Sequence, residues 1–342
     1  MRTKFHHLLT PLLIGLVTVS CEQKDVEEVA PMASAETTAS ATAAGVILEE
    51  LFEGSNPLSQ TLVMDRATGT SYARTYVNSP VFQGNKSARF ELRVTDAEFG
   101  GGTRTDFAFQ PATGKDRWYS FAAYFPADAW QHDNSHEVIA QWHAFPDEDL
   151  GEGWRTPATK MITYKDRLRF DVGYNTNRVN TFYEGEKQYD LGQIPKNSWQ
   201  EFVVHIVHSY GSDGLVEVWQ NGKKVVEHRG GNMFNDARLP YLKLGIYKAD
   251  WNGNNTTDVT KRVLYLDNVR LGDEKASFAS MSSSSTSVPA PTEPAETQPA
   301  PAPEEPVVSQ PAPEETQPTT PAPDKAKENK GRKSSKSKKY KG

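Results

Sequence analysis

The side chains best suited to chemistry lie on three short alternating segments. In YLKLGIYKAD (residues 241–250) an extended backbone turns Tyr241, Lys243 and Tyr247 to one face and Leu242, Leu244 and Ile246 to the other. RFELR (89–93) sets Arg89, Glu91 and Arg93 opposite Phe90 and Leu92, and QWH (141–143) sets Gln141 and His143 opposite Trp142. One face of each suits a core and the other is polar, so the three polar faces are expected to line one groove. Gly245, between Lys243 and Tyr247, is expected to leave room there for a flat ligand.

Cationic and amide donors with an imidazole and a phenol, but no pair of carboxylates, favour one reaction class over another. Hydrolysis of a glycosidic bond normally takes two acids across the bond, and the acidic cluster DEDLGE (147–152) has the wrong spacing for that and sits in a glycine-containing loop. β-Elimination from a uronic acid polymer needs what is present. Arg93, Gln141 and His143 would neutralise the uronate carboxylate and the enolate-like charge that develops on it. A base must remove the adjacent proton and an acid must protonate the departing oxygen. Tyr247 does both by turns if neighbouring positive charge lowers its pKa from about 10. That suits β-linked glucuronate or mannuronate, where proton and leaving oxygen share a side of the ring. In guluronate or iduronate they lie on opposite sides, and His143 would be a separate base. Around this set, Arg89 and Glu91 read as an ion pair positioning Arg93, while Lys243 and Tyr241 share the polar face of their strand. Arg104 and Lys160, near strand ends or loops, would welcome an anionic chain. His205 and His208 read as structural, and Trp142 and Trp219 as packing.

The elements that must hold these residues are strands. Nearly all the aromatic residues fall between 45 and 273, in short alternating runs with little helical periodicity. VEVWQ-NG-KKVVEHR marks a hairpin, because Asn221-Gly222 suits a two-residue type I′ turn. PADAW (126–130) suits a helical turn. Many antiparallel strands with one apolar face each predict an all-β, two-sheet antiparallel sandwich, a jelly roll. With one cysteine among 342 residues there is no intramolecular disulfide, and the core must carry the stability.

The ends of the chain differ from this domain. Residues 1–20 read as a secretory signal peptide, with Arg2 and Lys4 ahead of an apolar run. Cys21 follows Ser20 as in a lipobox, and the acidic residues after it resemble an export signal for the outer cell surface, so 21–44 reads as lipid anchor and tether. Residues 274–342 read as a Pro/Ala/Glu/Thr-rich spacer with a basic end. The expected location is the outer membrane, as a surface-exposed lipoprotein. A monomer with no nucleic-acid partner is expected.

RFELR, QWH and YLKLGIY, in that order, resemble the R-[ST]-E-L-R, Q-[IV]-H and Y-F-K-A-G-x-Y segments of jelly-roll alginate lyases. RWYSFAAYFP, WQEFVVHIVHS and LVEVWQNGK look more like the heparin lyase I and glucuronan lyase relatives of that fold. The resemblance covers residues 45–272. It implies Tyr247 as base and acid, Gln141 and Arg93 on the carboxylate, and His143 as helper or second base. Lys248, Ala249 and Asp250 replace the alginate-lyase ending, and Leu244 its alanine, which shifts the expected substrate from alginate to glucuronan-type polymers. No cofactor is required. The resemblance does imply that a structural calcium ion can be held, with Asn235 and Asp236 as candidate oxygen ligands. The alternative to a lyase is a non-catalytic module of the same fold that binds anionic glycans.

Overall fold

The computed structural model describes residues 43–58, 62–66, 69–252 and 257–283. The signal segment, Cys21, the tether up to residue 42, the Pro-rich spacer and the basic end lie outside the described residues.

Fifteen strands form two antiparallel sheets among the described residues. In chain order they are β1 (Val46–Glu50), β2 (Leu62–Arg66), β3 (Arg74–Val77), β4 (Ser87–Arg93), β5 (Thr103–Phe109), β6 (Asp116–Tyr124), β7 (His136–His143), β8 (Thr159–Tyr164), β9 (Arg167–Tyr174), β10 (Gly185–Gln193), β11 (Trp199–Val207), β12 (Leu215–Gln220), β13 (Lys223–Arg229), β14 (Tyr241–Lys248) and β15 (Lys261–Gly272). The first sheet runs β13-β12-β11-β6-β15-β4-β3, with β1 also on β15; the second runs β10-β9-β8-β7-β14-β5-β2. This is the expected jelly-roll sandwich.

Alternation builds the core. Phe90, Leu92, Phe121, Phe202 and Leu264 from the first sheet meet Phe107, Trp142, Phe170, Leu242, Leu244 and Ile246 from the second, all fully or almost fully buried. Each such side chain contributes about 1.5–3 kcal/mol on leaving water, so the apolar face of every strand is pinned inward and the polar face outward.

Turn chemistry sets two hairpins. Asn221 and Gly222 take φ of 49° and 80° and pair Gln220 with Lys223, the expected type I′ connection. Lys165 and Asp166, at φ 49° and 61°, do the same between Tyr164 and Arg167, splitting into β8 and β9 a run that alternates without a break. PADAW makes a turn in which the N–H groups of Ala129 and Trp130 donate to the Pro126 carbonyl. Past β15 the chain forms α1 (Phe278–Met281), started by a capping box between Ser277 and Ser280. Ala276 and Met281 pack there against Val203, so the expected start of the tail at residue 274 falls ahead of an ordered segment.

Candidate active site

β14 and β7 are neighbours in the second sheet, with Tyr241 opposite His143 and Lys243 opposite Gln141. Their polar residues therefore share the outer face of that sheet, as expected. β4 does not join them, because it belongs to the first sheet, between β15 and β3. Phe90 and Leu92 turn inward to the common core, so Arg89 and Arg93 point away from the groove on the opposite side of the sandwich. There Arg93 Nε donates to Glu91 Oε1 at 2.6 Å, its guanidinium lies 3.8 Å from the Tyr72 ring centre, and Arg89 donates to the other Glu91 oxygen. The ion pairs among these three residues form as expected; the expectation that RFELR lines the groove is overturned.

β5 takes the place assigned to β4. It pairs with β14 so that Arg104 stands opposite Tyr247 and Asp106 opposite Gly245. Arg104-Thr105-Asp106-Phe107 keeps the order of the R-[ST]-E-L motif with Asp for Glu and Phe for Leu, and that order after Gly100, Gly101 and Gly102 was the signal available in the sequence. Gly245 serves this pairing and leaves no room for a ligand. Its φ is +136°, and a Cβ there would lie 2.3 Å from the Thr105 carbonyl oxygen.

An open pocket of about 710 Å³ lies on the outer face, lined among others by Arg104, Gln141, His143, Lys160 and Tyr247. Five of the residues expected at the site thus come together. Two others lie beneath it. Lys243 is 1% exposed and its Nζ meets Asp106 Oδ2 at 2.7 Å. Tyr241 is also 1% exposed and packs on Phe145 and His143, with ring centres 4.5 and 5.7 Å away. Both support the floor, and the expectation that they contact substrate is corrected. Arg155 and the exposed Trp154, which also line the pocket, were not expected there; they come from the β7–β8 loop, which carries no periodicity to read.

The Tyr247 hydroxyl donates to the Gly101 carbonyl at 2.8 Å, and the Arg104 guanidinium lies 4.4 Å from its ring centre. Gly102 is required, because a Cβ there would lie 2.2 Å from the Tyr247 ring. Burial raises the phenol's pKa; Arg104 opposes this, while Asp106, Glu98 and Asp250 add to it, and the result is above the ordinary value. The expected lowering is therefore absent, and Tyr247 stays protonated at neutral pH. His143 Nδ1 lies 2.9 Å from the Ala144 carbonyl oxygen, a contact only an N–H can make favourably. In the neutral ring this leaves the lone pair on Nε2. Lys160 Nζ donates to the Tyr183 hydroxyl at 2.8 Å and to Glu186 at 3.0 Å. His208, by contrast, is buried on Tyr119 and depressed to about 3 by burial and by Arg117, in keeping with a structural role.

Next to the pocket, ligand oxygens of Asp147, Glu152 and Asp236 lie within 4.8 Å of one another, and all three residues are buried. Arg155 and Arg178 supply two counter-charges. Asp236 Oδ2 has no hydrogen-bond partner, and burial pushes its carboxyl up to about 6, Arg155 opposing and Glu152 and Asp147 adding to the rise. An all-oxygen donor set one positive charge short of balance fits a hard cation. The Asn235 amide is instead turned to the Thr176 carbonyl at 2.8 Å.

The fold and this face together define a jelly-roll protein with an open groove of cations, an amide, an imidazole and a phenol. The chain belongs to the polysaccharide lyase family: a family model described as polysaccharide lyase matches residues 56–270. Among solved structures, the endo-β-1,4-glucuronan lyase of the fungus Trichoderma reesei is similar at a TM-score of 0.56 and 19% identity, covering 69% of this chain and 98% of its own. The alginate lyase Aly36B is similar at a TM-score of 0.42 and 16% identity, covering 67% of this chain and 98% of its own. No curated protein sequence matches the chain.

Proposed function

We propose that the protein cleaves a uronic acid-containing polysaccharide by β-elimination in the groove on the second sheet. The observation that carries this reading is the meeting of Arg104, Gln141, His143, Lys160 and Tyr247 around one pocket, in a chain of the polysaccharide lyase family. Arg104 neutralises the uronate carboxylate, Gln141 donates to it, and the Lys160 ammonium, shared with Glu186 and Asp171, lies beside them as the enolate-like charge develops. With Tyr247 protonated, His143 Nε2 replaces the phenol as base; both groups act from one pocket wall, which suits glucuronate, where the proton beside the carboxylate and the leaving oxygen share a side of the ring. Tyr247, held protonated, donates to the departing glycosidic oxygen as the bond breaks, leaving an unsaturated sugar end. A pure binding module has no use for an imidazole and a protonated phenol on one pocket wall.

Glucuronan, for which the structurally similar fungal lyase is named, is the first polymer to try. The test is ultraviolet absorbance of the unsaturated end over glucuronan, alginate, heparin and hyaluronan; absence of product from all four overturns the reading. Asp147, Glu152 and Asp236 would hold a structural calcium ion beside the groove, which predicts a melting temperature that falls in chelator and recovers with calcium. Acylation of Cys21 would place the enzyme on the outer membrane, and Cys21→Ser would release it to the soluble fraction.

A further inference from the structure

Beyond Lys160 the groove continues into a second pocket of about 480 Å³ that shares His136, Thr156 and Lys160 with the central one. The two differ in charge. Arg104, Arg155 and Lys160 line the central pocket, and among the described residues no carboxylate does. The flanking pocket sets Asp171, Glu186 and Asp250 against Lys160 and Arg169. Those two cations already serve two of the acids: Lys160 Nζ lies 3.0 Å from Glu186 and 3.7 Å from Asp171, and Arg169 lies 3.1 Å from Asp171. His136 adds no charge at neutral pH, since burial lowers its pKa against the pull of Asp250 and Glu137. The sequence of the strands explains the change, because Gln141, Lys160 and Asp171 stand opposite one another across β7, β8 and β9. One step along this row exchanges a cation for an acid.

The flanking pocket also offers an apolar surface. Phe182 is 60% exposed at its edge, with its ring centre 4.5 Å from that of Tyr183. Carboxylates that accept hydroxyl protons beside an exposed ring suit a sugar with hydroxyls and one apolar face. A second uronate would bring its negative charge against Glu186 and Asp250, a like-charge contact that disfavours the wrong partner.

We infer that the flanking pocket takes an uncharged sugar, so that the preferred substrate alternates uronic acid with neutral residues. This rests on the lyase reading and narrows it. Cleavage of glucuronan is compared with cleavage of hyaluronan, in which glucuronate alternates with an uncharged amino sugar, using wild type, Glu186→Gln and Asp250→Asn. The expected kcat/KM on the alternating polymer exceeds that on glucuronan by about tenfold. Both variants should narrow this ratio, raising turnover of glucuronan by removing the like charge and lowering turnover of the alternating polymer by weakening the acceptors of its hydroxyls. Preference for glucuronan, or a ratio that neither variant moves, overturns the inference and leaves the lyase reading standing. Product from neither polymer with any of the three proteins overturns the inference, and the lyase reading falls with it only if alginate and heparin also yield no product.

Discussion

Two places in the second sheet gather opposite charges, and they use them differently. Where β14 ends, Lys248 is completely buried, and its Nζ bonds Asp133 at 2.7 Å, Glu137 at 2.8 Å and the Ser135 hydroxyl. Arg262 completes the set, with Nε 2.7 Å from Glu137. Burial pushes the Asp133 carboxyl up, but Lys248 and Thr257 bring it below its ordinary range. Two cations meet two acids, and the network is closed to solvent. One residue earlier, Tyr247 faces the open pocket, where Arg104 and Lys160 are turned to the groove wall. Adjacent residues on one strand thus belong to different kinds of site. A closed network holds the strand end in place, while an open one keeps donors ready for an anion from outside.

Breaking the open site should cost turnover and little else. Tyr247→Phe keeps the ring that packs on Gly102 and loses the proton, so kcat is expected to fall by about three to four orders of magnitude. The melting temperature should stay within about 2 °C of wild type. Breaking the closed site should do the reverse. Lys248→Met leaves Asp133 and Glu137 with too little positive charge in a dry interior, and is expected to destabilise the domain by about 3–5 kcal/mol in urea denaturation. Turnover per folded molecule should change far less than in Tyr247→Phe, and an equal loss would place Lys248 in the chemistry.

The sequence carried one half of this contrast and concealed the other. Alternation showed which residues of β7 and β14 share a face, since a one-residue slip would expose Leu242, Leu244 and Ile246. It could not show which sheet a strand joins, and so RFELR and YLKLGIY were expected on one wall when they lie on opposite sheets. β5 escaped notice because Arg104 and Asp106 look like surface residues, whereas all seven of its residues are buried, two of them under long-range pairs with Tyr247 and Lys243. β10 escaped because the edge strand GEKQYDLGQ alternates only two apolar residues, Tyr189 and Leu191, toward the core. Asp147, Glu152 and Asp236 come from two loops far apart in the chain, and no local pattern joins them.

A third acid sharpens the comparison, because no cation answers it. Asp267 on β15 is fully buried, and among the described residues its carboxylate accepts only backbone N–H groups, from Phe82 at 2.8 Å, Gln83 at 3.0 Å and Asn268 at 2.7 Å. Burial raises its pKa to about 6 in spite of those bonds. An acid with a raised folded-state pKa binds its proton more tightly folded than unfolded. Its contribution to stability therefore falls as pH rises from about 4 to about 6 and is level above that. Asp267→Asn removes this dependence, so the melting temperature of the variant relative to wild type should be higher at pH 7 than at pH 4. The corresponding change in stability relative to wild type between the two pH values should be on the order of 1–3 kcal/mol. Asp133 should show the opposite trend, since its folded-state pKa is depressed and its contribution is lost as pH falls.

The smallest effect decides between the two arginine strands. Arg93 is 45% exposed on its side chain and shares the buried Glu91 with Arg89, so Glu91 keeps one partner when Arg93 is removed and the Arg93 ion pair contributes about 0–1 kcal/mol. Arg104 is 7% exposed and lies against Tyr247. Arg93→Ala should leave kcat/KM on any uronate polymer within about twofold of wild type, whereas Arg104→Ala should lower it by about two orders of magnitude. The motif in the sequence admits either arginine as the carboxylate clamp, because Arg93 follows Glu91 by two positions and Arg104 precedes Asp106 by two. Sheet membership separates them: a guanidinium on the far side of a two-sheet core cannot reach a sugar in the groove. A large loss in Arg93→Ala with folding intact would put the chemistry on the first sheet and empty the groove of its assigned role.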